Sequence, residues 1–314
     1  MTNSTDLTTH QLEYFVAVAE EGQFTRAAEH LHVAQPSISS QVRRLEQIIG
    51  TPLFHRGRGP VTLTDAGNEL LPLARRVLND LAEVVHGAAE LEGLRRGHVA
   101  IGATPSLGIA LLPAVLARFH HRYPGVSLAV TEQASQYLME GLEASTLDLA
   151  LGIMPLRQPM FERVLLAVEE LVVVTAVDHE LGRRRRIEIS DLRDVPMVML
   201  REGYDLRSTT LAAFDQAGFA PSVALEGVEM DGVLSMVAAG IGAAIVPSIV
   251  AVGVAGLHVM RLHSPRLERE IALLRRQDHA PSRAAAALWA EITSFLTQSG
   301  WPGRVPLGLR LVLG

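Results

Sequence analysis

Residues able to hydrogen-bond a nucleic acid cluster near the start of the chain. Gln35, Ser37, Ser39, Ser40, Gln41, Arg43 and Arg44 share the outward face of one helix, whose inward face is Ile38, Val42 and Leu45 at helical spacing. Gln, Ser and Arg side chains bond the base edges and phosphates of duplex DNA. Downstream, Arg56-Gly57-Arg58-Gly59-Pro60 is a cationic turn between short runs at 52–54 and 61–63. Such a tip cannot pack a core and suits a narrow minor groove or phosphates. For the loop taken alone, an ordinary solvated hairpin is the alternative.

A second set of candidate contacts lies further on. Ligands of open α/β sheets sit beyond the carboxyl ends of strands, near helix N-termini. Thr104-Pro105-Ser106 follows a predicted strand and precedes a helix from Leu107. Thr131 to Ser135 follows the next strand, and Arg201-Glu202-Gly203 follows one at 197–200. Hydroxyls and free N–H groups at the first two places suit a carboxylate or another small anion. Each place also reads as a local helix cap.

Catalytic patterns are missing. No G-x-S-x-G occurs, and no Ser/His/Asp set declares itself. The chain has no cysteine, which excludes disulfides, thiolate nucleophiles and cysteine redox sensing. His30, His32, His120 and His121 lack carboxylate or thiolate partners at ligand spacing, so neither a metal nor a cofactor is expected. Gly240-Ile241-Gly242 lacks the third glycine of a dinucleotide fingerprint and precedes its strand, which implies close packing. The four arginines at 183–186 read as a solvated loop, and Met230 and Met236 as core filler.

These residues need elements to hold them. A helix at 24–31 has Ala27, Ala28 and Leu31 inside, and a second starts at Gln35 with Pro36 in its first turn, where no N–H partner is lost. Val33 plugs the angle between them. An earlier helix begins with a Thr8–Gln11 capping box, carries Leu12, Phe15, Val16 and Ala19 on one stripe, and ends at Gly22. Beyond the basic turn, Thr64-Asp65 caps a helix at 66–92, about 40 Å long at ~1.5 Å per residue. Leu70, Ala74, Val77, Leu81, Val84, Ala88 and Leu91 recur there at alternating four and three spacing, a heptad seam that a dimer partner would cover. The alternative is a helix packed on its own chain. Pro72 is expected to kink it, and Gly93 and Gly97 flank a hinge.

From His98 the pattern becomes strands alternating with helices, which predicts parallel βαβ units. The strands fall at 99–102, 127–132, 149–152, 171–175, 197–200, 223–226, 243–246, 257–260 and 271–274, with a last helix at 282–297.

Composition is compatible with DNA binding through one local patch. The 314 residues are 48% hydrophobic with net charge −6. Between Phe24 and Leu63, Arg26, Arg43, Arg44, Arg56 and Arg58 stand against Glu29 and Glu46; this net +3 leaves −9 elsewhere. The acidic bulk would repel DNA and keep the basic patch as its productive face. No run of about 18 apolar residues exists and no signal pattern opens the chain, so a cytoplasmic location away from membranes is expected.

The segments LEYFVAVAEEGQFTRAAEHLHVAQPSISSQVRRLE, GTPLFHR and LTDAG closely resemble the amino-terminal domain of LysR-type transcriptional regulators over residues 9–67. A weaker resemblance runs through residue 299. It implies an α+β multidomain chain: a winged helix-turn-helix at 1–65, a linker and dimerisation helix at 66–96, and a two-lobed α/β effector domain at 97–300 that resembles periplasmic binding proteins. Lobe one would be 98–167 plus 268–299 and lobe two 168–267, with crossings near Ala167 and Pro265. Residues 301–314 lie past the family's usual end and are expected to be a disordered or interaction tail.

The resemblance further implies a recognition helix at 35–48, with base and phosphate contacts at Gln35, Pro36, Ser39 and Gln41 and a wing arginine at Arg56 or Arg58. Ser40 stands where many relatives carry Arg, and Arg43 is placed to substitute for it; Arg26 and Ser37 complete the expected DNA face. Effector contacts map to Ser106, Ser135 and the turn of Arg201, Glu202 and Gly203, beside Thr104, Pro105 and Thr131. Implied partners are an interrupted inverted repeat of double-stranded DNA, a small effector of anionic character, a second copy of the chain as homodimer or dimer of dimers, and RNA polymerase. The family's peroxide-sensing branch uses cysteines, which this chain lacks. Two rival readings are a small-molecule enzyme with an appended helix-turn-helix and an architectural DNA-binding protein without effector.

Overall fold

The computed structural model describes residues 7–55, 61–89, 97–154 and 159–312. The chain divides into two compact units, with the boundary near residue 93.

The first unit opens with α1 (Thr9–Glu21), α2 (Phe24–His30) and α3 (Gln35–Ile49). The Thr8 N–H donates to Gln11 Oε1 at 2.9 Å, and Gly22 ends α1 with φ +63°. Between α2 and α3, His32 takes φ +53° and the Val33 N–H donates to the Ala28 carbonyl. The apolar stripes meet in one core: Leu12, Phe15 and Val18 of α1, Ala27 and Ala28 of α2, and Ile38, Val42 and Leu45 of α3 are all buried. Phe54 closes it, its ring centroid 5.4 Å from that of Phe15.

A small antiparallel ribbon follows, β1 (Phe54–His55) paired with β2 (Thr62–Leu63). Glu46 of α3 fixes its start by accepting the Leu53 N–H at 2.9 Å. Thr64 then turns the chain: its hydroxyl donates to the Pro52 carbonyl at 2.7 Å and accepts the Gly67 N–H at 3.1 Å. Helix α4 (Asp65–Ala89) starts there and continues through Pro72. A Cβ on Gly67 would lie 2.2 Å from the Leu53 carbonyl oxygen, so only glycine lets the helix come this close.

The second unit is built on β3 (Gly97–Ala103), β4 (Val126–Glu132), β5 (Leu149–Met154), β6 (Phe161–Ala176), β7 (Arg186–Glu188), β8 (Pro196–Leu200), β9 (Ser222–Val228), β10 (Ala244–Pro247), β11 (Leu257–Ser264), β12 (Glu268–Arg276) and β13 (Arg310–Leu311). Its helices are α5 (Pro105–Ala110), α6 (Leu112–Arg122), α7 (Ser135–Glu143), α8 (Asp205–Gln216), α9 (Met230–Ala238), α10 (Ser248–Ala251) and α11 (Arg283–Ser299). The main sheet has the order β4-β3-β5-β12-β6-β11-β7, with β10 and β13 also paired to β6.

Strands β3, β4 and β5 are parallel, as are β8 and β9. The centre is not. β12 is antiparallel to both β5 and β6, and β10 and β11 are antiparallel to β6. The expectation of parallel units therefore holds for β3 to β5 and for β8 and β9, and is corrected at the centre. Its cause is β6, a 16-residue strand of which the sequence suggested only 171–175. Its first half pairs with β12 and its second half with β10 and β11, so it runs through both halves of the unit. Glu169 and Glu170 interrupt its apolar run and hide its length. Both are buried and held by arginines: Glu169 by Arg269, Glu170 by Arg261 and Arg266.

The tail is also ordered through residue 312. Trp301 is buried in the core, β13 pairs with β6 at Ala167 and Val168, and the Val312 N–H donates to the Leu166 carbonyl at 2.9 Å. Arg310 reaches Glu268 at 3.2 Å. The expected disorder fails because the strand is defined by the edge of β6 that receives it, not by an apolar pattern of its own. At Gly242 a Cβ would lie 2.2 Å from the Pro196 carbonyl oxygen, which accounts for the Gly-Ile-Gly run by packing.

Candidate DNA interface and ligand cleft

Helix α3 turns Gln35, Pro36, Ser37, Ser40, Arg43 and Arg44 to solvent, with Ser39 and Gln41 half-buried. Arg26 is exposed on α2. Arg26, Arg43 and Arg44 make no ion pair among the described residues, so their charge is available to a phosphate. Gln35 Nε2 lies 2.8 Å from Ser39 Oγ, and the Ser40 hydroxyl donates to the Ser37 carbonyl at 2.9 Å. Ser40 therefore spends its proton on its own helix and faces outward as an acceptor. Arg56 and Arg58 lie outside the described residues.

Reading α3 alone misses what lies beside it. Thr8, His10, Gln11 and Tyr14 of the α1 start line an open hollow with Ser37, Gln41 and Arg44. Gln11 is buried and donates from Nε2 to Gln41 Oε1 at 3.3 Å. Its polarity within an apolar stripe was the available signal.

The linker helix divides its apolar residues between two duties. Leu70, Leu71, Ala74 and Leu78 pack into the core of the first unit, with Ala74 1% exposed. This corrects the seam at Leu70 and Ala74: α1 packs on the start of α4, where Arg75 also bonds Glu20 at 2.8 Å. Val77 and Leu81 are 43% and 40% exposed, and Leu73, which the heptad omitted, is 50% exposed. These three form a stripe at i, i+4 and i+8. The side chains of Val84 and Ala88, and all of Leu91, lie outside what is described.

In the second unit a narrow cleft with room for about 30 Å³ is lined by the main sheet and α5 on one side and by the β8, α8 and α9 region on the other. One side is Thr104, Pro105, Ser106, Ala134, Ile153 and Arg269; the other is Leu200, Tyr204, Asp205, Leu206 and Met230. Thr104 precedes α5 and is 4% exposed, yet its Oγ1 has no hydrogen-bond partner among the described residues. Ser106 Oγ accepts from Arg269 Nη2 at 2.7 Å. Arg269 Nε in turn donates to Glu169 Oε1 at 2.6 Å, and the other Glu169 oxygen accepts the Ile249 N–H at 3.3 Å. Burial pushes the Glu169 carboxyl above its ordinary range, against the opposing pull of Arg269.

The predicted ligand residues separate. Thr104, Pro105 and Ser106 line the cleft. Thr131 does not: it is exposed on the edge strand β4. Ser135 is buried behind the cleft wall, where its Oγ accepts the Ile153 N–H at 3.1 Å. Arg201, Glu202 and Gly203 are exposed beside the cleft, not in its lining. Arg201 is held by Glu229 at 2.6 Å and by the Tyr204 hydroxyl at 3.0 Å. The flanking Leu200 and Tyr204 take its place. Met230 packs in the core and also lines the cleft. Arg269 and its pair Glu169 were missed because they lie on neighbouring strands a hundred residues apart in sequence.

A winged helix pair with an arginine-bearing outer face, carried on the same chain as an α/β domain with a cleft, defines a DNA-binding regulator with a sensing domain. Residues 9–68 match the family described as bacterial regulatory helix-turn-helix protein, lysR family, and residues 92–297 match the LysR substrate binding domain. The chain belongs to the LysR family of DNA-binding transcriptional regulators, which are not enzymes.

Among its relatives, an uncharacterized HTH-type transcriptional regulator of Bacillus subtilis, YybE, is 31% identical over 266 residues, 84% of this chain and 90% of that protein. The hydrogen peroxide-inducible genes activator of Dickeya chrysanthemi is 31% identical over 268 residues, 84% of this chain and 88% of that one. Among solved structures, a full-length OxyR variant from Pseudomonas aeruginosa superposes with TM-score 0.73 at 25% identity, covering 96% of this chain and 99% of that one. Full-length CbnR complexed with its target DNA gives TM-score 0.66 at 26% identity, covering 93% and 100%. No described helix is long and apolar enough to cross a membrane.

Proposed function

We propose that this regulator binds an interrupted inverted repeat as a homodimer or dimer of dimers and responds to a small molecule held between two lobes of its second unit. The observation that carries the sensing role is the buried, unpaired Thr104 Oγ1 beside the Ser106–Arg269 contact, in a cleft lined from both halves of the second unit. A buried hydroxyl without a partner is costly, and a ligand acceptor group would relieve it. Arg269 is balanced by Glu169, and Asp205 lines the opposite wall. The cleft thus holds no surplus positive charge, so a neutral carbonyl compound fits as well as the anion expected from sequence. Leu200, Leu206, Ile153 and Met230 would hold an apolar body.

Contacts on DNA would come from Gln35, Pro36, Ser37, Ser39, Ser40, Gln41, Arg43 and Arg26, and from the wing arginines Arg56 and Arg58. Leu73, Val77 and Leu81 would meet a second copy. Effector binding would bias closure of the lobes and change how bound dimers bend and space the DNA, and thereby their contact with RNA polymerase. Several relatives are named as activators of hydrogen peroxide-inducible genes. A cysteine-free chain cannot share thiol oxidation as its signal.

The test is a footprint on the DNA upstream of its own gene, with and without compounds that raise the thermal stability of the protein. A protected inverted repeat whose pattern changes with such a compound supports the reading. A footprint identical under every stabilising compound removes the sensing role.

A further inference from the structure

A donor-only backbone group fixes which end of Gln41 faces outward. The Thr8 N–H can only donate, so the Gln11 atom 2.9 Å from it is the amide oxygen. The opposite atom of the same amide is then Nε2, which can only donate. It lies 3.3 Å from the Gln41 amide, so the Gln41 atom that meets it is Oε1. What remains free on Gln41 is its NH2 group, together with the second lone pair of an oxygen already turned toward Gln11. Gln11 is 1% exposed, so its amide is largely withdrawn from solvent, while Gln41 is half-buried. Gln41 and Gln11 line the same open hollow as Ser37 and Arg44, on the arginine-bearing side of α3.

We propose that Gln11 is a positioning residue for DNA recognition: through the α1 cap it holds Gln41 as a donor, so that Gln41 selects a hydrogen-bond acceptor on DNA. In the major groove the acceptors are guanine N7 and O6, adenine N7 and thymine O4; the outward NH2 group cannot accept from the amino groups of adenine and cytosine. A phosphate oxygen offers the same acceptor chemistry without sequence information. This inference rests on the assignment of α3 as the recognition helix. Ordinary side-chain rules permit either end of a glutamine to face a base, so the restriction comes from the relay and not from the residue type.

The experiment is site selection by the full-length protein from a randomised duplex library at fixed salt, with binding constants for the winning sites. It compares the unaltered chain with Gln11→Glu, Gln11→Met and Gln41→Ala, and with Gln11→Glu combined with Gln41→Ala. A glutamate at position 11 still accepts the Thr8 N–H, but its other oxygen only accepts. Gln41 must then turn its NH2 inward and its oxygen out.

If Gln41 faces a base, Gln11→Glu moves the preference at one position per half-site toward a base with an exposed amino group. Gln11→Met flattens that position by roughly five- to tenfold. If Gln41 faces a phosphate, both variants weaken all sites alike and leave the base profile unchanged. In either case the effect of Gln11→Glu disappears when Gln41→Ala is already present.

An equal effect of Gln11→Glu with and without Gln41→Ala overturns the proposal, as does an unchanged profile and affinity in both position-11 variants. Should Gln11→Glu fail to fold, Gln11→Met with and without Gln41→Ala decides the matter in the same way. A chain that selects no site at all instead defeats the assignment of α3.

Discussion

Arg269 Nη2 donates to Ser106 Oγ across 2.7 Å and so ties strand β12 to the first turn of α5 at the wall of the cleft. The same guanidinium neutralises Glu169, which is 0% exposed. One side chain thus serves both the ligand wall and a buried charge.

Arg269→Met should leave Glu169 buried without its counter-ion. Removing one partner of a buried pair typically costs about 3–5 kcal/mol, and uptake of a proton by Glu169 should lessen the loss in acid. Ser106→Ala should cost only about 1 kcal/mol. Urea unfolding of the two variants at neutral and mildly acid pH measures both, and equal losses would contradict this ranking.

Thr104→Val keeps the shape of the side chain and removes the unpaired hydroxyl. The ligand-free protein should be no less stable, because a buried polar group without a partner is already unfavourable. Stabilisation by cleft ligands should fall by about 1 kcal/mol or more. Thermal scans with and without the compounds that stabilise the unaltered chain decide the point; an undiminished ligand shift would place the ligand elsewhere.

Glu132 is exposed overall, yet it holds its proton to higher pH than an ordinary glutamate near 4.5, first because its carboxyl is partly desolvated and then because Asp231 and Glu229 repel its charge. A carboxyl raised in the folded state contributes stability below its unfolded value, and that contribution is lost as pH rises through the folded one. Glu132→Gln should therefore stabilise the protein at neutral pH and change little near pH 4. The difference in melting temperature between variant and parent should grow with pH across that interval.

Val77→Glu should weaken self-association at least tenfold, since a buried valine contributes about 1.5–3 kcal/mol and a carboxylate resists burial. Leu70→Ala should instead lower the stability of the first unit, because Leu70 packs on its core. Sedimentation and thermal unfolding of the two variants separate these roles.

The first unit was legible because its signals are local. Gly22 at a helix end, Pro36 in a first turn and Thr64 beneath α4 each act within a few residues. The cleft was only half legible. Thr104 and Ser106 follow a strand end, where the βαβ rule places them. Arg269, Tyr204 and Met230 reach the same space through long-range pairing of β6 with β12 and β10, which no local pattern encodes. Ser135 shows the converse: a hydroxyl in the right place along the chain, spent on the N–H of Ile153.

The junction at Gly67 leaves no slack between the reading head and the 25-residue helix that leaves it. Thr64 grips Pro52 from one side while the Gly67 backbone abuts Leu53. A helix of that length spans about 37 Å at ~1.5 Å per residue. It acts as a stiff lever: turning the head by about five degrees sweeps the far end by about 3 Å. Torque applied at the far end would arrive at the DNA face as rotation and would not be absorbed in a flexible joint.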